Sequence, residues 1–138
     1  MFLLDSDTFT HAFHNRHGIR ERIARETETV ALSPITRIES RRGRFDAVIK
    51  AAAVPELQRA LARLADTETF LATFRVVEFC DDAMLRFGRF RDERRFGKMG
   101  RGDLLTACIA LAYDANLVTR NTEDFAAVPG LKLENWAG

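Results

Sequence analysis

Five carboxylates occupy positions where chemistry would use them. Asp5 and Asp7 follow the first apolar run, Glu39 lies in a helical stretch after the second, Asp103 heads an apolar helix, and Asp124 follows Thr119 and Asn121. Carboxylates packed together repel unless a cation joins them, and hard oxygen donors without His or Cys suit Mg²⁺ or Mn²⁺. Each residue also has an ordinary reading. Asp103 and Asn121 suit helix N-caps, Asp124 suits a first helical turn where the dipole favours an acid, and Glu39 suits a surface pair with Arg42. Taken together, acids from four separate segments argue for a shared cation.

Such a site needs a scaffold that brings those segments to one point. Short apolar runs at Phe2–Leu4, Val30–Leu32, Arg75–Phe79, Asn116–Val118 and Leu131–Leu133 predict five strands. Helical spacing fills the intervals. Ile19 and Ile23 mark one helix, and Ser33-Pro34 reads as an N-cap followed by proline at the first helical position. Apolar residues from Phe45 to Phe74 keep a helical period, with Pro55 dividing the stretch into two helices. A helix beginning around Met84, Phe87 and Phe90 is expected to end near Gly97, and Leu104, Leu105, Cys108 and Leu111 form the face of the last long helix. Strands alternating with helices predict one α/β domain over residues 1–138 with a mostly parallel sheet. Ligands of such sheets bind beyond the carboxyl ends of the strands, where Asp5, Asp7, Thr119 and Asn121 fall. Glu39, four residues after Ile35, is expected near the core edge rather than on the solvated face.

The chain has 138 residues and 46% apolar content, enough for one core and too little for a second domain. Its 21 Lys and Arg against 20 Asp and Glu leave +1, which excludes a generic polycation. The charge is unevenly spread. Residues 37–50 carry five cations and two acids, and residues 84–102 carry seven and two, each segment adjoining a candidate site acid. Arg41, Arg42, Arg44, Arg94, Arg95, Lys98 and Arg101 are therefore candidate contacts for a phosphate backbone; the ordinary reading is a solvated helix face. Cys80 and Cys108 lack CxxC spacing and read as free thiols in a reducing compartment. No apolar run is long enough to cross a bilayer, and acids stand where a signal peptide would be basic, so a cytoplasmic protein is expected. His11, His14 and His17 would spread over about 240° of a helix and cannot meet on one ion, so they are expected on an exposed helix or loop face. Trp136 reads as an anchor for the tail.

These residues resemble the PIN-domain ribonucleases, in particular the VapC-type toxins of toxin–antitoxin pairs. Leu3-Leu4-Asp5-Ser6-Asp7 is similar to the family's opening strand with its first acid, and Ser33-Pro34-Ile35-Thr36-Arg37-Ile38-Glu39 to the segment with its second. The strongest match joins Gly102-Asp103-Leu104-Leu105-Thr106-Ala107-Cys108 to Leu117-Val118-Thr119-Arg120-Asn121-Thr122-Glu123-Asp124-Phe125. Thr106 and Cys108 stand where Ile and Ala are more usual, and Arg41-Arg42-Gly43-Arg44 is more basic than the family's continuation.

The resemblance implies a three-layer domain with a five-stranded sheet flanked by helices, and metal-dependent endonucleolytic cleavage of RNA leaving 5′-phosphate and 3′-hydroxyl ends. Asp5, Glu39, Asp103 and Asp124 match its catalytic acids. Asp5 and Asp103 would hold the principal Mg²⁺ or Mn²⁺, with Glu39 and Asp124 supporting; Asp7, Thr119 and Asn121 would steady the carboxylates. It also implies a homodimer and a VapB-like antitoxin, with operator DNA bound only through the antitoxin complex. Two rivals remain. One is a haloacid-dehalogenase-like phosphatase, whose strand-Asp-x-Asp start Asp5-Ser6-Asp7 fits, although Phe9 stands where Thr or Val is usual. The other is a catalytically silent module that binds RNA or a partner, against which the retained acids weigh.

Overall fold

A strand of three residues forms too few ladder hydrogen bonds to persist alone, so the apolar runs must be buried on both faces. In the computed structural model, which describes residues 1–138, the three central runs are largely buried, while the two at the edges are partly exposed. β1 (Phe2–Leu4), β2 (Val30–Leu32), β3 (Arg75–Val76), β4 (Asn116–Val118) and β5 (Lys132–Glu134) form one sheet in the order β3-β2-β1-β4-β5, with every pairing parallel. Successive side chains point to opposite faces. Leu3, Ala31 and Leu117 join one core cluster with Leu104, Ala107, Cys108 and Phe125, while Phe2, Leu4, Leu32 and Val118 join Phe9 and Leu71 in the other. Helices thus cover both faces and complete a three-layer domain. Burying a side chain such as Leu3 or Leu117 contributes about 1.5–3 kcal/mol.

Seven helices connect the strands: α1 (Ser6–Phe13), α2 (Ile19–Arg25), α3 (Pro34–Lys50), α4 (Val54–Leu71), α5 (Asp81–Phe90), α6 (Arg101–Ala112) and α7 (Thr122–Phe125). α3 starts as its residues dictate: the Ser33 hydroxyl accepts from the Thr36 amide at 3.2 Å, and Pro34 takes the first turn. The Thr36 hydroxyl donates to the Leu4 carbonyl at 3.0 Å, tying the start of α3 to the end of β1. Glu39 follows one turn later, so this buried bond sets where its carboxylate emerges.

Several boundaries differ from the sequence-based expectation. β3 is only Arg75–Val76, because Val77 leaves the ladder after one more bond, to Leu32. Two helices do meet near Pro55 as expected: α3 ends at Lys50, and after a break at residues 51–53 Pro55 lies in the first turn of α4, where its fixed φ is suited. α5 stops at Phe90, and Arg94–Phe96 form a separate 3₁₀ turn whose Phe96 is buried against Phe90. Cys80 and Cys108 are both free. Trp136 packs on Phe2 and under the Arg22 guanidinium, as an anchor should. No helix is long and apolar enough to cross a membrane.

Candidate active site

The strand order reverses at the centre of the sheet: the chain runs outward from β1 through β2 to β3, then returns on the far side of β1 as β4. That switch leaves a crevice beyond the carboxyl ends of β1 and β4. A cleft of about 510 Å³ opens there, lined by Asp5, Ser6, Asp7, Glu39, Asp103, Thr106, Arg120, Asn121 and Phe125. A second hollow continues past Asp103 to Asp124, Glu123, Lys98 and Arg95.

Each acid is placed by a different device. Asp5 leaves β1 directly and caps α1, one carboxylate oxygen accepting from the Thr8 amide at 2.8 Å. Glu39 is exposed on α3, not tucked at the core edge, and accepts from the Ser6 hydroxyl at 2.6 Å instead of pairing with Arg42. Asp103 lies in the first turn of α6 rather than at its cap, which is Gly100. Gly102 lets α6 pass close to α3: a Cβ there would stand 3.2 Å from a Glu39 carboxylate oxygen. Asn121 holds the cap position of α7 without bonding its backbone; its amide donates to Asp124 at 2.8 Å. Asp124 itself lies on the rim.

Burial raises the Asp5 carboxyl above the ordinary range, partly offset by hydrogen bonds from Thr119 and Thr8. Asp103 is raised too, by burial first and then by the fields of Glu39, Asp5 and Asp124. None of these four acids forms a salt bridge with a protein cation. Thr119 is fully buried, its hydroxyl also accepting from the Asn121 amide at 3.0 Å. Asp7 is directed toward His11, 3.6 Å from Nε2.

No three of the acids converge tightly enough to coordinate one ion by themselves. Their chemistry nonetheless fits Mg²⁺ or Mn²⁺: the donors are hard oxygens, their charge has no counter-ion in the protein, and such ions retain several waters. Asp5 and Asp103 would hold the ion, with Glu39 and Asp124 acting from the rim.

The family model of the PIN domain matches residues 2–131. The chain belongs to the PIN domain family. A tRNA(fMet)-specific endonuclease VapC of Salmonella typhimurium is 28% identical over 138 residues, covering 98% of this chain and 97% of the relative. Ribonuclease VapC2 of Rickettsia felis is 35% identical over 71 residues, and that match spans about half of each protein, 50% of this chain and 53% of the relative. Among solved structures, the VapBC2 complex of Rickettsia felis bound to a promoter DNA fragment superposes with a TM-score of 0.77 at 25% identity, over 98% of both chains. The PIN match replaces the haloacid-dehalogenase alternative.

The cations sort differently from the sequence reading. Arg41 makes two bonds to Glu68, at 2.8 and 3.0 Å, and Arg44 bonds Thr67 at 2.9 Å while lying over Phe13. These two brace α3 against α4 and α1. Arg95 pairs with Glu93 over Phe96, and Arg101 lies over Phe87. Arg42, Arg94 and Lys98 are exposed without a carboxylate partner. Of the three histidines expected on an exposed helix or loop face, His17 is exposed in a loop, His14 is half-buried and His11 is buried. His11 is 8% exposed in α1, His14 caps that helix, and His17 lies beyond it in a left-handed turn with its ring against His11. Ser6, Thr106 and Arg120 line the cleft but escaped the candidate set. The first two sit beside proposed acids or one helical turn away. Arg120 stands between Thr119 and Asn121, a position that a strand-exit argument applied to cations as well as acids would have flagged.

Proposed function

We propose that this protein is a divalent-cation-dependent endoribonuclease of the VapC kind, kept inactive by a VapB-like antitoxin. The observation that carries this reading is a set of carboxylates gathered from four segments at the sheet's switch point, none of them salt-bridged to a protein cation, in a cleft whose lining includes Arg120 and whose neighbouring hollow includes Lys98. A pure binder of a polyanion gains nothing from such a cluster.

Asp5 and Asp103 would hold the cation, and their raised proton affinity makes protons stronger competitors for it than at an ordinary carboxylate. The bound ion supplies a nucleophilic water at neutral pH and charge relief on the phosphate. Glu39, oriented by Ser6 in the main cleft, and Asp124, oriented by Asn121 in the adjoining hollow, both act on Asp103, which the two hollows share, and would position water there. Thr119 fixes Asp5 from below. Asp7 is held off this set by its approach to His11. Lys98 lines the hollow beside Asp103 and Asp124, and Arg94 and Arg42 are exposed on the 3₁₀ turn and on α3; these cations attract RNA backbone. The Salmonella relative makes tRNA the first substrate to try.

The partner reading rests on α3 and α4. Ile38, Phe45 and Ile49 recur along α3, Val54 and Leu61 along α4, and all five are exposed, Ile49 at 82%. A stripe of this kind on a monomer is an interaction site, and the solved relative is a toxin–antitoxin complex. We assign it to an apolar segment of the antitoxin. Operator DNA would then be bound through the antitoxin, and a homodimer is proposed from the family resemblance.

The test is cleavage of bulk tRNA by wild-type and Asp103→Asn protein across a Mg²⁺ and Mn²⁺ titration, with end mapping. Metal-dependent cleavage, lost in Asp103→Asn and leaving 5′-phosphates, supports the reading. A folded Asp103→Asn protein with wild-type activity refutes the site. RNA binding with no cleavage under any metal favours the silent-module reading.

A further inference from the structure

Arg120 is the one cation lining the acidic cleft. Its guanidinium Nη1 lies 2.9 Å from His11 Nε2. A guanidinium only donates, so the imidazole nitrogen accepts and the ring proton sits on Nδ1. Nδ1 is buried with no hydrogen-bond partner. For stability alone this arrangement is poor: the ring spends its lone pair on an exposed side chain and leaves its own buried N–H unsatisfied. Unsatisfied groups of this kind concentrate where function fixes a geometry.

The guanidinium is held near Asp5, Asp7, Glu39 and Asp103, yet it forms no salt bridge with any of them. Its remaining N–H groups have no protein acceptor. A planar fork with open donors at the edge of a cleft is suited to two oxygens of a tetrahedral anion. Asp7, 3.6 Å from the same imidazole nitrogen, and the edge of the His17 ring close the other sides of His11, so the ring has little freedom to swing away.

We propose that Arg120 clamps a backbone phosphate of the bound RNA through its non-bridging oxygens, and that His11 is the positioning residue that aims it. The proposal rests on the nuclease reading. It gives His11, which is buried and is not among the residues lining the cleft, a role that involves neither metal nor proton transfer.

The test uses fluorescein-labelled bulk tRNA in two formats: binding to Asp103→Asn protein by anisotropy, and cleavage kinetics in the otherwise wild-type chain. Arg120→Ala should weaken RNA binding and raise KM by about tenfold or more, the effect of losing a charge-assisted pair. It should also lower the slope of log affinity against log salt by roughly 0.7–0.9, the signature of one lost phosphate contact. Arg120→Lys should keep the salt slope and recover only part of the KM. Arg120 is exposed, so these variants leave the core intact. His11→Phe should reproduce a weaker version of the Arg120→Ala effect, and His11→Gln, which retains an acceptor, should restore it; a fall in melting temperature alone would mark a merely structural ring. Unchanged KM and salt slope in Arg120→Ala, with wild-type protein cleaving normally, overturns the clamp and leaves the nuclease reading standing. Wild-type protein that neither binds nor cleaves RNA overturns both.

Discussion

Asp103→Asn should raise the stability of the metal-free protein while abolishing its response to metal. Asp103 is disfavoured as an anion by burial and by the fields of Glu39, Asp5 and Asp124. Replacing it with a neutral amide of the same shape removes that repulsion. The cleft is open to solvent, so after screening the gain is on the order of 1 kcal/mol. At about 2.1 cal/mol/K of unfolding entropy per residue, a chain of 138 residues converts this to a melting-temperature rise of about 3 °C in EDTA. Wild-type protein at a free cation concentration one hundred times its dissociation constant should instead gain about 2.7 kcal/mol, or roughly 9 °C. Asp103→Asn should lose most of that shift. The pH dependence has a definite sign. Because Asp5 and Asp103 are raised when folded, the native state binds more protons than the unfolded chain between the ordinary Asp value and the raised one. Metal-free stability from these two groups therefore falls as pH rises through that window and is level above it, so the advantage of Asp103→Asn grows with pH and then saturates. Protons compete with the cation over the same window, and metal stabilisation should fade on acidification. Scanning calorimetry in EDTA and in Mg²⁺ or Mn²⁺ across pH measures every quantity. Equal metal shifts in wild-type and Asp103→Asn protein, or a lower metal-free melting temperature in the variant at neutral pH, would refute the reasoning.

Gly102→Ala places a methyl group 3.2 Å from the Glu39 carboxylate. The carboxylate must yield by a few tenths of an ångström, so activity should fall by several-fold to about tenfold with stability changed by less than about 1 kcal/mol, as read by kcat and thermal melting. Thr119→Val should cost about 1–3 kcal/mol in denaturant unfolding, since it strips the Asn121 amide of its acceptor and Asp5 of a hydrogen bond in a fully buried setting. Cys108 is fully buried and its thiol is pushed up to about 11, so one thiol, Cys80, should react with a disulfide reagent in the native protein at pH 8 and the second only on unfolding. Ile49→Asp should leave RNA cleavage unchanged and weaken inhibition by the antitoxin by about tenfold or more, measured by titrating antitoxin into the cleavage assay.

Much of this protein is written locally in its chain. Three-residue apolar runs separated by helical periods determine a parallel α/β sheet, because only strands buried on both faces can be that short and that apolar. Ser33-Pro34 determines where α3 begins, and acids directly after Leu4 and near Val118 must emerge at strand ends, since backbone geometry carries them there. The tertiary structure decided the rest. Whether Glu39 pairs with Arg42 or accepts from Ser6 depends on how α3 meets α1, and Arg41 and Arg44 became braces only once α4 folded back with Glu68 and Thr67. His11 and Arg120 are 109 residues apart, yet β1 and β4 pair side by side, so the helix after one faces the exit of the other. Local residue order encodes periodicity and caps, which depend on neighbours within a turn. It does not encode which long side chain will find which partner, because those choices are made by packing between elements that only the strand order brings together.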